Sequence, residues 1–278
     1  MITVQSRHSI WRRMWWTHPE LSLAAVAAAA WLTVLAMHAA TGALPIAAQQ
    51  LSTFPPDQGM AGHHPGRFNP GIARHEYVMS ESGWPPAFLV SVALWVLMAT
   101  AMMLPTALPE ARSISLNGKW KRRQRGPALF AIGYLAVWSA VGVLLLSAAW
   151  LIGAKATSPL AISGALAIAA AWESTRWKRL CLRACHRLRS LPPDGGRADR
   201  ASVREGIRNG VYCTGSCGPM MVPVALAPHS VGLSLMLFLF ALVSLEKLLT
   251  SAVDHLRLVA AVLAIAAVIV ASGAAVIG

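Results

Sequence analysis

Val211–Pro228 reads VYCTGSCGPMMVPVALAP. The stretch is apolar enough to lie in lipid, yet it gathers two cysteines, two methionines, two glycines and two interior prolines within a few helical turns. Its length argues for a membrane helix, and soft sulfur donors beside prolines argue that this helix does more than pack.

The rest of the chain supports the membrane reading. Its 278 residues are 56% hydrophobic and 13% charged, with mean hydropathy +0.53. Seven candidate spans follow: Leu21–Leu44, Pro86–Pro105, Pro127–Ile152, Leu160–Trp177, Gly210–Pro228, Val231–Leu249 and Leu258–Gly278. Each has roughly 18 to 26 residues, matching a hydrocarbon core of ~30 Å at ~1.5 Å per residue. These runs predict an all-α, polytopic transmembrane helix bundle, a single integral membrane domain over residues 1–278 with no internal repeat.

A net charge of +13 has the sign nucleic-acid binding needs, but its distribution decides otherwise. With the N-terminus inside, 21 of the 24 Lys and Arg fall on the inner side, and only Arg67, Arg74 and Lys155 fall outside. The positive-inside rule therefore predicts a cytoplasmic N-terminus, an outer C-terminus and a location in the cell inner membrane. Membrane lipid is the expected partner of the basic segments, and nucleic acid is not. Arg12, Arg13 and an MWW run precede the first span as in a signal peptide, but its apolar part exceeds the usual length, so an uncleaved anchor is predicted. HAATGA around Thr41 is a small-residue pattern that leaves cleavage open.

Two loops stand out. The outer one, 45–85, contains FPPDQGMAGHHPGRFNPGIARHEY and is expected to be irregular. Met60, His63, His64 and His75 there combine thioether with imidazole, a set suited to copper in an oxidising compartment, and a solvated loop whose histidines do nothing is the equal alternative. The inner one, 178–208, begins KRLCLRACHRLRSL and reads as a helix continuing from span four along the membrane surface.

Cys213 and Cys217 are four residues apart, hence on one helix face, with Met220 about 20° and Met221 about 80° from Cys213 around the axis. Pro219 and Pro223 are expected to interrupt that helix. Cys181 and Cys185 repeat the spacing beside His186. All four cysteines fall at the cytoplasmic level, where thiols stay reduced. Span two ends WVLMATAMMLP, which brings Met102 and Met103 to the same level. Thiolate with thioether selects Cu(I), while zinc accepts four thiolates or a thiolate and imidazole mixture. The competing reading is packing, with methionines filling gaps and Gly215, Ser216 and Gly218 admitting close helices. Glu173, at the inner end of span four, is a functional candidate by its depth, with pairing to Arg176 or Arg179 as the plain alternative. Glu246 and Lys247 are adjacent, so they face different ways and reach separate partners.

Four motifs in order, WVLMATAMMLPTALP, WKRLCLRACHR, REGIRNGVYCTGSCGPMM and LVSLEKLL, resemble the signatures of the bacterial predicted metal-binding integral membrane proteins. That family includes a membrane copper chaperone associated with a tyrosinase. The resemblance runs from span two to span six and implies copper handling through Met102, Met103, Cys181, Cys185, Cys213 and Cys217. Where the family tends to read Cys-x-Gly-Cys-Cys-Trp, this chain has Ser216 at the middle cysteine and Gly218 at the tryptophan, one thiolate and one indole fewer. The expectation is a membrane protein that binds a soft metal, Cu(I) before zinc, as a chaperone or in copper homeostasis. A copper-dependent enzyme is its expected client, and no reaction of its own is expected. A secondary transporter or permease for metal or a small solute is the alternative. A thiol oxidoreductase using Cys213 and Cys217 fits less well with cytoplasmic cysteines.

Overall fold

Prolines and capping side chains set many of the helix boundaries in the computed structural model, which describes residues 18–41, 86–119, 122–151, 158–187, 189, 191–227, 229–248 and 252–277. These residues form α1 (Leu21–Thr41), α2 (Pro86–Met103), a 3-10 turn (Pro105–Ala107), α3 (Leu108–Asn117), α4 (Arg125–Leu151), α5 (Pro159–Glu173), α6 (Arg176–Cys185), α7 (Gly195–Leu226), α8 (His229–Leu248) and α9 (Ala252–Ile277). No strand occurs among the described residues. The outer loop, with His63 and His64, lies outside them.

Among the described residues, three helical segments, Leu21–Ala40, Arg125–Ala148 and Leu256–Gly273, are long and apolar enough to cross a membrane. Phe88–Met103 and Pro105–Asn117, bent by 47° at the break between them, make a fourth if taken as one span. Seven spans are not reached by this count. Helix α5, at 15 residues, covers only about 22 Å at the helical rise, and the first half of α7 is polar. The outward faces carry Leu32, Ile132, Leu144, Ile168 and Val268, a distribution compatible with a lipid surround.

The bend after α2 has a local cause. Pro105 lacks the amide that would continue the helical ladder, and the amide of Ala107 bonds to the carbonyl of Leu104 instead of that of Met103. The Met103 carbonyl accepts from the Thr106 hydroxyl at 2.8 Å and from the Tyr134 hydroxyl of α4 at 3.2 Å. The fold thus repairs the break with side chains from two elements.

The central contact is α4 against α7. It depends on absent side chains: a Cβ on Gly206 would collide with the carbonyl of Phe130, and one on Gly133 with that of Val203. Only glycine at these places lets the two backbones approach so closely. Trp95 of α2 donates to the carbonyl of Trp138 at 2.8 Å and fills the space left by Gly142, joining α2 to the same core.

Two expectations change. Span four and the following basic helix are separate: α5 ends at Glu173, and Thr175 caps α6 by accepting from the Lys178 amide at 3.2 Å. Trp177 therefore belongs to α6. The inner loop is also shorter than 178–208, because α7 starts at Gly195, capped by Asp194. Ala198, Ser202, Glu205, Gly206 and Asn209 recur at helical spacing and are buried, so the polar run is an amphipathic helix.

Candidate metal site

The sulfur-bearing half of α7 is a continuous helix. Pro219 and Pro223 lie inside it, contrary to the interruption expected from the sequence. A proline lacks the amide that would bond to the carbonyl four residues back, and Pro219 frees that of Gly215. Trp172 of α5 donates its indole N–H to this carbonyl at 3.0 Å. The lost helical bond is replaced from a neighbouring helix, so the backbone need not unwind.

Cys213 and Cys217 are both fully buried. The Cys213 sulfur lies 2.9 Å from the Tyr134 hydroxyl and accepts a hydrogen bond from the Lys247 ammonium of α8 at 2.9 Å. Tyrosine has one proton to give, which serves either the Met103 carbonyl or this sulfur. Ser216 donates to the Cys213 carbonyl at 3.0 Å and stands 3.4 Å from the Cys217 sulfur. Ser216 therefore touches the second sulfur and donates to the backbone of the first.

Met102, Met103, Met220 and Met221 are buried in the same hydrophobic core as Cys213 and Cys217. Cys185 belongs to that core too, and Asn209 of α7 donates to its carbonyl at 3.2 Å. Cys181 is half-buried and packs against Gly215, where an added Cβ would come within 2.7 Å of its sulfur. Two cysteines of α6 thus face the α7 segment that carries the other two. They do not form one cage: among the described residues no group of three or more His, Cys, Asp or Glu side chains is placed to hold an ion. The physical reason is orientation. Cys213 turns to Tyr134 and Lys247, whereas Cys181 lies against Gly215, so the four-thiolate or thiolate and imidazole arrangement that zinc favours is not formed among the described residues.

A buried charge cluster lies beside the sulfurs. Lys178 of α6, fully buried, donates to Glu173 and to Glu246 at 2.7 Å each. Glu173 therefore pairs with Lys178 rather than with Arg176 or Arg179. One oxygen of each carboxylate, Oε2 of Glu173 and Oε1 of Glu246, has no hydrogen-bond partner among the described residues. Adjacent Glu246 and Lys247 reach different partners, as their neighbouring positions on a helix imply. Sequence reasoning missed Tyr134 and Lys178. Lys178 was hidden in a basic run that reads as a solvated face, and a lone tyrosine in an apolar span carries no pattern.

The family model described as "PpoB2: Copper chaperone" matches residues 92–270, well over half of the chain. The chain belongs to that family. No curated protein and no solved structure matches it. The matched region of this copper-chaperone family member runs from α2 through most of α9 and contains all four cysteines, Met102, Met103, Lys178 and Lys247.

Proposed function

We propose that this protein is a membrane-embedded copper chaperone that carries Cu(I) as cargo on Cys213 and Cys217 and passes it to a copper-dependent enzyme. The observation that carries the reading is the pair of fully buried cysteines on one face of α7, in one core with Met102, Met103 and Met220. Thiolate and thioether are donors suited to Cu(I), and a low coordination number suits two sulfurs better than a four-ligand cage does. Cys181 and Cys185 act as a relay toward this pair. His63 and His64 of the outer loop act as a capture site when external copper is scarce. Seven spans, with the N-terminus inside the cell inner membrane, are the topology that goes with this role, supported by the uneven spread of Lys and Arg.

The test is a competition titration of Cu(I) against a chromogenic chelator, using the full chain in detergent. The C213S/C217S double variant should lose high-affinity binding while expression and membrane insertion persist, and C181S/C185S should lose less. Undiminished affinity in the first variant would leave Val211–Pro228 as a packing helix and nothing more.

A further inference from the structure

Two buried ammonium groups lie near the sulfurs, and they are balanced differently. Lys178 has Glu173 and Glu246 at 2.7 Å. Lys247, only 5% exposed, has no carboxylate within ion-pair distance among the described residues, and its hydrogen bond goes to the sulfur of Cys213 at 2.9 Å. An ammonium has donors and no lone pair, so the sulfur is the acceptor. A charge buried in a low-dielectric setting needs a compensating one. For Lys247 that partner is the cysteine.

We propose that Lys247 sets the charge of the cation the cysteine pair accepts, favouring a monovalent soft ion over a divalent one. The inference rests on the reading that Cys213 and Cys217 hold the cargo. Both sulfurs hold a metal as thiolates: Cys213 is already the anion that balances Lys247, and Cys217 gives up its proton to solvent on binding. Two thiolates on a monovalent ion form a complex with one net negative charge, and the adjacent ammonium cancels it. The same thiolates on a divalent ion form a neutral complex, which leaves the ammonium as an uncompensated buried charge. Lys178 also acts electrostatically on Cys217, but its own two carboxylates oppose it, and the triad is unchanged when Lys247 is replaced. Lys247 is a positioning and charge-compensating group, not a ligand. The Tyr134 hydroxyl, the other polar group on the Cys213 sulfur, is neutral and does not separate the two ion classes by charge.

Ag(I) and Cd(II) are suitable probes: both are soft and closed-shell, neither changes oxidation state on thiolate, and they differ in charge. Full-length wild type, K247L and K247R are titrated with each ion against a competing chelator. K247L removes the charge without adding a sulfur donor and should lower the ratio of Ag(I) to Cd(II) affinity by about tenfold or more, the scale expected for one unit charge a few ångströms away in a partly buried site. K247R should keep the wild-type ratio. If K247L does not insert, K247Q makes the same comparison. Equal weakening of both ions, or an unchanged ratio, overturns the proposal and makes Lys247 a packing residue. Retention of Ag(I) by C213S/C217S overturns the cargo reading instead, so the two failures are distinguishable.

Discussion

Trp172 donates its indole N–H to the Gly215 carbonyl at 3.0 Å, and this is the carbonyl that Pro219 deprives of its helical partner. The pair explains how a proline sits within the sulfur-bearing part of α7 without breaking it. W172F should leave the carbonyl without its donor, at a cost of about 1–3 kcal/mol. P219A restores an amide four residues on, so W172F/P219A should recover much of the loss. Unfolding in detergent measures both. An identical loss with and without P219A would mean that the ring matters by its packing and not by its N–H.

The Glu173, Lys178 and Glu246 triad joins α5, α6 and α8 through one fully buried ammonium. K178M removes the shared cation and strands two carboxylates, which should destabilise the protein by about 3–5 kcal/mol. The triple variant E173Q/K178M/E246Q, which removes all three charges, should be markedly more stable than K178M alone. Thermal unfolding of the two variants side by side checks the order.

Gly215 lies where α6 meets α7. A Cβ there would come within 2.7 Å of the Cys181 sulfur, so G215A must push α6 away or turn Cys181 aside. A loss of about 1–3 kcal/mol is expected, and C181A in the same chain should relieve it. If C181A fails to rescue G215A in unfolding measurements, the collision is not the source of the loss.

Asp194 caps α7, accepting from the Gly195 amide at 2.8 Å and pairing with the Lys119 ammonium at 2.6 Å. The Lys119 hydrogen bond, with the Gly195 amide, holds its carboxyl below the usual carboxylate range. A lowered folded-state value means the stabilisation is fully present above the unfolded carboxyl value and fades as pH falls through the folded one. Acidification below about pH 4 should therefore lower the amide-exchange protection factors of the first turn of α7, taken relative to the intrinsic exchange rate at each pH. D194N keeps a capping side chain without the charge and should flatten that response. An undiminished acid response in D194N would assign it to another group.

Much of the helical framework is legible in the chain itself. The stop at Met103 follows from Pro105, and the start of α5 follows from Ser158 and Pro159, where the serine side chain accepts from the Ala161 amide. These are local effects of a missing amide or an added acceptor. The continuity of α7 through Pro219 was not legible, because the donor that compensates comes from Trp172, 43 residues away. The polar first half of α7 is not legible as helix, because its buried stripe consists of small and polar residues, which no hydropathy pattern marks. The candidate site was half legible: spacing put Cys213 and Cys217 on one face, while Tyr134 and Lys178 carried no signal until helices were packed.

By itself the sequence determined the helical class, the positions of many helix ends and the face that Cys213 and Cys217 share, since run length, caps, prolines and rotation per residue act within a few residues of chain. Only the tertiary structure decided which charges meet. Lys178 reaches Glu246 across 68 residues and Lys247 reaches Cys213 across 34, and these pairings depend on how each helix is rotated and how near its neighbour lies. Gly133 and Gly206 set that nearness for α4 and α7, because backbones can touch only where side chains are absent from both sides.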